Sequence, residues 1–266
     1  METKNLEFLK EGLKYLGFGE KLNLELESKI KELPPAFSLQ MTAEYKKGQG
    51  VEKVEYKLDF RKSDKSDMFF FNRYEATLKN EDATKDKSQT FYIAKNAGIT
   101  AKEAYNLLSG RAVNKDLTNK EGQSFNAWVQ LDFTEKDKNN NFKINQYHAG
   151  YGYELDKALA KFPIKELGDA EQKEKIVKSL EKGNLTSATF IREGREEKMF
   201  MEANPKFKSL NVYDSVMKKI VQENGKKESK QGTEQTTQKK ESLRKGSDVE
   251  DGPAQKKRPK RRGVGV

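Results

Sequence analysis

Two stretches of this chain match each other 54 positions apart, and that spacing limits the fold more than any single motif does. Phe71-Asn72-Arg73-Tyr74 aligns with Phe125-Asn126-Ala127-Trp128. At the same offset Gly98, Thr100, Ala104, Tyr105 and Leu108 align with Gly152, Glu154, Ala158, Leu159 and Phe162. Each copy reads strand, loop, strand, helix, so the pattern predicts a duplicated ββα unit over about residues 69–110 and 125–164. The second strands fit less cleanly. Phe91 and Ile93 prefer Phe142 and Ile144, an offset of 51, which requires a three-residue change in the loops.

Around this pair the periodicity is legible. Leu6, Leu9, Leu13 and Leu16 share one helical face over residues 3–16, with Thr3 as a cap and Gly17 as a stop. Leu22, Leu26, Ile30 and Leu33 do the same over about 20–33, before Pro34-Pro35. The two helices form a hairpin that either docks on the body or offers its apolar stripe to a partner. Residues 37–45 and 54–60 then alternate apolar and polar, the pattern of a half-buried antiparallel hairpin turning at 46–50.

Further strands are expected at 69–78 and 89–95, with a helix opened by a capping box at Thr100 and Glu103. Residues 111–124 link the copies. Strands at 126–133 and 142–148 precede a helix at about 153–162, which Pro163 ends. Asp169 starts another helix, with Gln172 placed for a capping box and Gly183 at its far end. A third hairpin, 188–191 with 198–201, turns at Glu193-Gly194, followed by a strand at 207–213 and a short helix at 214–221.

The fold class expected is therefore α+β. It comprises an N-terminal helical hairpin (1–35), a body of antiparallel strands and packed helices (36–221) and a disordered basic tail (222–266). The tail is set apart by composition: it lacks apolar periodicity and holds 13 Lys/Arg against 7 Asp/Glu, while residues 1–221 hold 39 against 35. Most of the net charge of +10 thus belongs to the tail. Absence of cysteine excludes disulfides, thiol catalysis and Cys-ligated zinc. Met1-Glu2-Thr3-Lys4-Asn5 carries no signal-peptide core, and no apolar run approaches the roughly 20 residues of a membrane span, so a soluble cytoplasmic protein is expected.

Few residues point to chemistry. The sharpest signal is Lys256, Lys257, Arg258, Lys260, Arg261 and Arg262, six cations in seven residues. A mobile run of this kind lies along phosphates and releases counterions, giving salt-sensitive affinity with little sequence preference. A solubilising tail, and an import signal or acidic-protein binding, are the other readings. Trp128 is the second signal, with Tyr74 as its counterpart and Arg73 beside that. Aromatics next to cations on a sheet face stack bases, whereas a sheet covered on both faces would bury them as packing residues. The lone His148 lies among Tyr147, Tyr151 and Tyr153, a strand-end setting rather than a metal or general-base site. Gly17-Phe18-Gly19 and Gly150-Tyr151-Gly152 lack the context of phosphate loops. No catalytic, metal or cofactor motif emerges.

Several segments carry a family resemblance. They are Tyr15-Leu16-Gly17-Phe18-Gly19-Glu20, residues 70–80, residues 100–108, Leu117-Thr118-Asn119-Lys120-Glu121-Gly122-Gln123, residues 126–133 and Met201-Glu202-Ala203-Asn204-Pro205. Together they resemble an uncharacterised family of bacterial proteins, a domain-of-unknown-function group carried on conjugative transposons. Its members are often encoded near, or fused to, type IA topoisomerase or other DNA-processing segments. The likeness spans nearly all of residues 5–220 and implies a mobile-element setting without supplying an activity. The expectation is a non-enzymatic accessory protein that associates with nucleic acid, DNA above all and mainly electrostatically. The alternative is a protein–protein adaptor for a topoisomerase or conjugation protein.

Overall fold

The computed structural model describes residues 2–48, 50–93, 98–119 and 121–220. Leucines at helical spacing form α1 (Glu2–Tyr15) and α2 (Asn23–Lys31). Because α1 begins at Glu2, Thr3 lies within it rather than capping it. Gly17 takes φ +82°, and the Phe18 N–H donates to the Leu13 carbonyl, reversing the chain over the helix end. Leu9, Leu13, Leu22, Leu26 and Ile30 are buried in one core with the strands that follow, so the hairpin is an integral layer of the body. Asn5 fastens it further: its amide both donates to the Phe69 carbonyl and accepts from the Phe69 N–H.

Period-two alternation builds the first sheet from β1 (Ala36–Lys47), β2 (Gly50–Lys62), β3 (Phe69–Leu78) and β4 (Lys87–Tyr92), antiparallel throughout. Val54, Tyr56, Leu58 and Phe60 face inward, and α3 (Ala101–Leu108) lies on the same side. The capping box at the start of α3 is present: the Glu103 N–H donates to Thr100 Oγ1, and the Thr100 N–H donates to the Glu103 carboxylate. A register shift at Asp59/Phe60 makes Asn72 an extra residue, since Phe60 pairs with Phe71 and Asp59 with Arg73. Phe71 and Tyr74 are three apart and would fall on opposite faces of a regular strand. The bulge lets both meet the core.

The second sheet is β5 (Val113–Thr118), β6 (Ser124–Lys136) and β7 (Phe142–His148). β5 occupies the segment expected as a linker. Only Val113 in it is fully buried, and the rest is too polar to show alternation. The third sheet is a meander of β8 (Thr186–Arg192), β9 (Arg195–Asn204), β10 (Ser209–Tyr213) and β11 (Lys219–Ile220), preceded by α4 (Leu155–Leu159) and α5 (Ala170–Glu181). Asp169 caps α5 by accepting from the Gln172 N–H. The helix expected at 214–221 is instead a turn into β11. The Asp214 carboxylate accepts from the Val216 and Lys218 N–H groups and Met217 takes φ +67°, a local arrangement that competes with helix.

The middle sheet separates two cores. Val113, Val129, Leu131 and Phe142 join the first, while Trp128 joins Leu155, Leu159, Ile176, Leu180, Phe190 and Met201 in the second. The ββα order recurs, and the helix caps Thr100 and Glu154 lie 54 positions apart. The aromatic four residues into each motif meets the residue before its cap. Tyr74 Oη donates to the Ile99 carbonyl, and the Trp128 ring stands edge-on to Tyr153 at 5.3 Å. The expected alignment of Phe91 with Phe142 fails. Tyr74 pairs with Phe91 and Trp128 with Tyr147, so Tyr147 is the equivalent of Phe91. β6 also lacks the β3 bulge at its motif: Phe125 pairs with Leu117 and Trp128 with Asn114 in unbroken register, which sends the two rings to opposite faces. Among the described residues no helix is long and apolar enough to cross a membrane. The tail expected to be disordered lies outside the described residues.

Candidate nucleic-acid interface

Strand alternation sends Ser38, Asp59, Arg73 and Tyr92 to the outer face of the first sheet, as one row across its four strands. Asp59 is the hub of that row. It accepts from Ser38 Oγ at 2.8 Å and from Arg73 Nε at 2.9 Å. This pairing, with a lesser contribution from Tyr92, holds the guanidinium above its ordinary pKa. The next rows, Gln40-Lys57-Glu75-Thr90 and Thr42-Glu55-Thr77-Ser88, are equally polar. Arg61 faces Phe70 across β2 and β3, and an open groove of 570 Å³ runs past Ser38, Lys57, Asp59, Arg61, Asn72 and Arg73.

Two rings are exposed beside these cations, Tyr92 at 61% and Phe70 at 42%. Exposed aromatics flanked by Arg are the parts from which a base-stacking surface is made. The field here is mixed, with Glu55, Asp59 and Glu75 interspersed among Lys57, Arg61 and Arg73. It would position a polyanion weakly and not hold it by charge alone.

Of the expected aromatic and cationic trio, only Arg73 belongs to this face. Tyr74 is fully buried on the opposite side of β3, because adjacent residues of a strand point opposite ways. Its ring lies 5.1 Å from Phe18 and 5.4 Å from Phe91, and burial drives its hydroxyl well above the ordinary range. Trp128 is 7% exposed and sits in the second core, because the layer of α4, α5 and the third sheet covers that face of β6. Neither ring is placed to stack a base, and the two lie in different cores. The packed reading holds for Trp128, whose sheet is covered on both faces, while Tyr74 is buried because it faces the core of a sheet whose outer face is open. Tyr92 and Phe70 are the rings that sequence reasoning missed. Their signal was alternation itself: if Phe91 and Phe69 face inward, their neighbours face out. Lys256, Lys257, Arg258, Lys260, Arg261 and Arg262 lie outside the described residues.

His148 is exposed at the end of β7, with its ring 5.3 Å from that of Phe125. Among the described residues no group of three or more His, Cys, Asp or Glu is arranged to hold a metal ion. No protein-family model matches the chain, and no curated protein or solved structure matches it.

Proposed function

We propose that this protein is a non-enzymatic accessory of DNA transfer or maintenance on a mobile element, associating with nucleic acid through the cations of residues 256–262. The observation that carries the reading is the density of that cluster, six cations in seven residues at the end of a segment with no apolar periodicity. Each cation that neutralises a phosphate releases a counterion, so affinity comes from charge and not from base recognition. The outer face of the first sheet, with Arg73, Arg61, Tyr92 and Phe70, is the second contact. It adds stacking once the tail has brought the strand close. Replacing all six tail cations by alanine in the full chain should weaken DNA binding by at least about tenfold at moderate salt. Unchanged affinity would overturn the assignment.

A second reading has its own observation. Phe8, Tyr15 and Leu24 on α1 and α2 are 69%, 82% and 85% exposed, apolar side chains open to a docking partner on helices whose other faces are buried. This fits an adaptor that docks on a DNA-processing enzyme such as a topoisomerase. A partner retained in a pull-down after nuclease treatment, and lost on F8A/Y15A/L24A substitution, would favour that reading over direct DNA contact.

A further inference from the structure

At the edge of the first sheet, Lys46, Lys102 and Arg111 line a cavity of 280 Å³ together with Asn106, Ser179 and Asn184. The cavity is built where three elements meet: the end of β1, the helix α3 and the C-terminal end of α5. Gly183 makes this approach possible. It takes φ +73°, and a Cβ there would lie 2.7 Å from the Ala112 carbonyl oxygen and 2.8 Å from Val113.

The supporting network is well connected. Arg111 is 4% exposed; its Nε donates to the Gly183 carbonyl at 2.9 Å and its Nη2 to Asn106 Oδ1 at 2.8 Å. Asn106 is fully buried and donates to the Lys182 carbonyl and to Asn184 Oδ1. Ser179 Oγ lies 2.8 Å from Thr186 Oγ1. These bonds cap α5, where partial negative charge gathers, and so explain part of Arg111's placement. They do not explain the other two cations.

Among the described residues no carboxylate lies within ion-pair distance of Lys46, Lys102 or Arg111. Glu52, which feels the Arg111 charge, is already engaged: its Oε1 takes the Lys47 ammonium at 2.8 Å and its Oε2 accepts from the Tyr105 hydroxyl at 3.0 Å. Lys102 Nζ instead lies 4.5 Å from the centre of the Tyr45 ring and 4.6 Å from that of Tyr105, and the Arg111 guanidinium is 4.7 Å from Tyr105. Desolvation, and then repulsion by Arg111, draw the Lys102 ammonium down to about 8. Lys46 and Lys102 are solvent-exposed at the mouth and Arg111 alone is buried, so an arriving anion meets two ammonium groups without carboxylate partners beside a fixed guanidinium.

We propose that this cavity is a binding site for a phosphoryl group, held by Lys102, Lys46 and the buried Arg111, with Asn184 and Ser179 as neutral donors. A tetrahedral oxyanion uses several donors at once, and a rigid guanidinium backed by two flexible ammonium groups suits it. The group belongs either to a phosphorylated solute or to a nucleic-acid backbone. The site is independent of the tail and of the proposed DNA contact.

The test is calorimetric titration of the full-length protein with inorganic phosphate. Lys102→Gln and Lys46→Gln should each weaken binding about tenfold, the loss of one charge-assisted contact. Lys102→Arg should largely preserve it. Arg111 is left unchanged because it also holds the Gly183 carbonyl. A proton readout separates a ligand contact from a structural role. Near pH 8, Lys102 is only partly protonated before binding, and its charged and titratable neighbours are Tyr45, Lys46, Tyr105, Arg111 and, beyond Tyr105, Glu52. An incoming anion raises the Lys102 pKa, so the wild-type protein should take up protons on binding, seen as a heat that depends on the buffer. Lys102→Arg should lose that uptake. An oligonucleotide that displaces phosphate from the tail-neutralised full chain would assign the group to nucleic acid, and failure to displace would assign it to a solute. Absence of saturable phosphate binding, or binding indifferent to both Lys→Gln changes, would overturn the proposal.

Discussion

Tyr74 shows how one side chain can resemble a binding residue and act as a strut. Its hydroxyl donates to the Ile99 carbonyl at 2.6 Å and lies 3.3 Å from that of Thr100, tying the middle of the first sheet to the start of α3. Tyr74→Phe leaves those acceptors unpaired in a buried site and should cost about 1–2 kcal/mol. Thermal unfolding should register it as a fall of several degrees, while DNA affinity stays unchanged. Trp128→Ala opens a cavity between β6 and the second core and should cost about 3–5 kcal/mol, again with no loss of DNA binding by the folded protein. A selective loss of binding in either variant would return these rings to the interface. Arg73 was legible as a cation on a strand. Its partner Asp59 was not, because that pairing depends on a register set by the extra residue Asn72.

Among the elements, those with strong periodicity were readable and those without it were not. Leucine spacing gave α1 and α2, alternation gave β1 and β2, and Thr100 with Glu103 marked the start of α3. β5 and β11 escaped. One is mostly polar and the other is two residues long, so their pairing with β6 and β10 is decided by the rest of the sheet. The expected repeat spacing of 54 coincides with the two helix starts at Thr100 and Glu154, but the expected match of Phe91 with Phe142 fails, since register and not side-chain similarity fixes which residues correspond. The cap itself is testable. Thr100→Ala removes the acceptor for the Glu103 N–H and should cost about 1 kcal/mol. That loss should appear as earlier hydrogen exchange in α3, where stability unchanged from wild type would show that Ala101 and its neighbours are held by packing alone.

For the whole molecule, the three sheets form a scaffold whose interior is occupied by packing residues, and the proposed function assigns the contacts with DNA to its outer surface and its tail. The outer face of the first sheet carries cations and acids in near balance. It should therefore contribute geometry more than charge to any contact with DNA, and R73A/Y92A should lower affinity without much change in salt dependence. The tail should act the other way. The most direct measurement is the slope of log binding constant against log salt concentration for the full chain on duplex DNA. If all six cations at residues 256–262 lie on phosphates, the slope should be about −5, and alanine at those six positions should bring it close to zero. A slope near zero in the unaltered protein, or one that survives the six substitutions, would contradict the central claim.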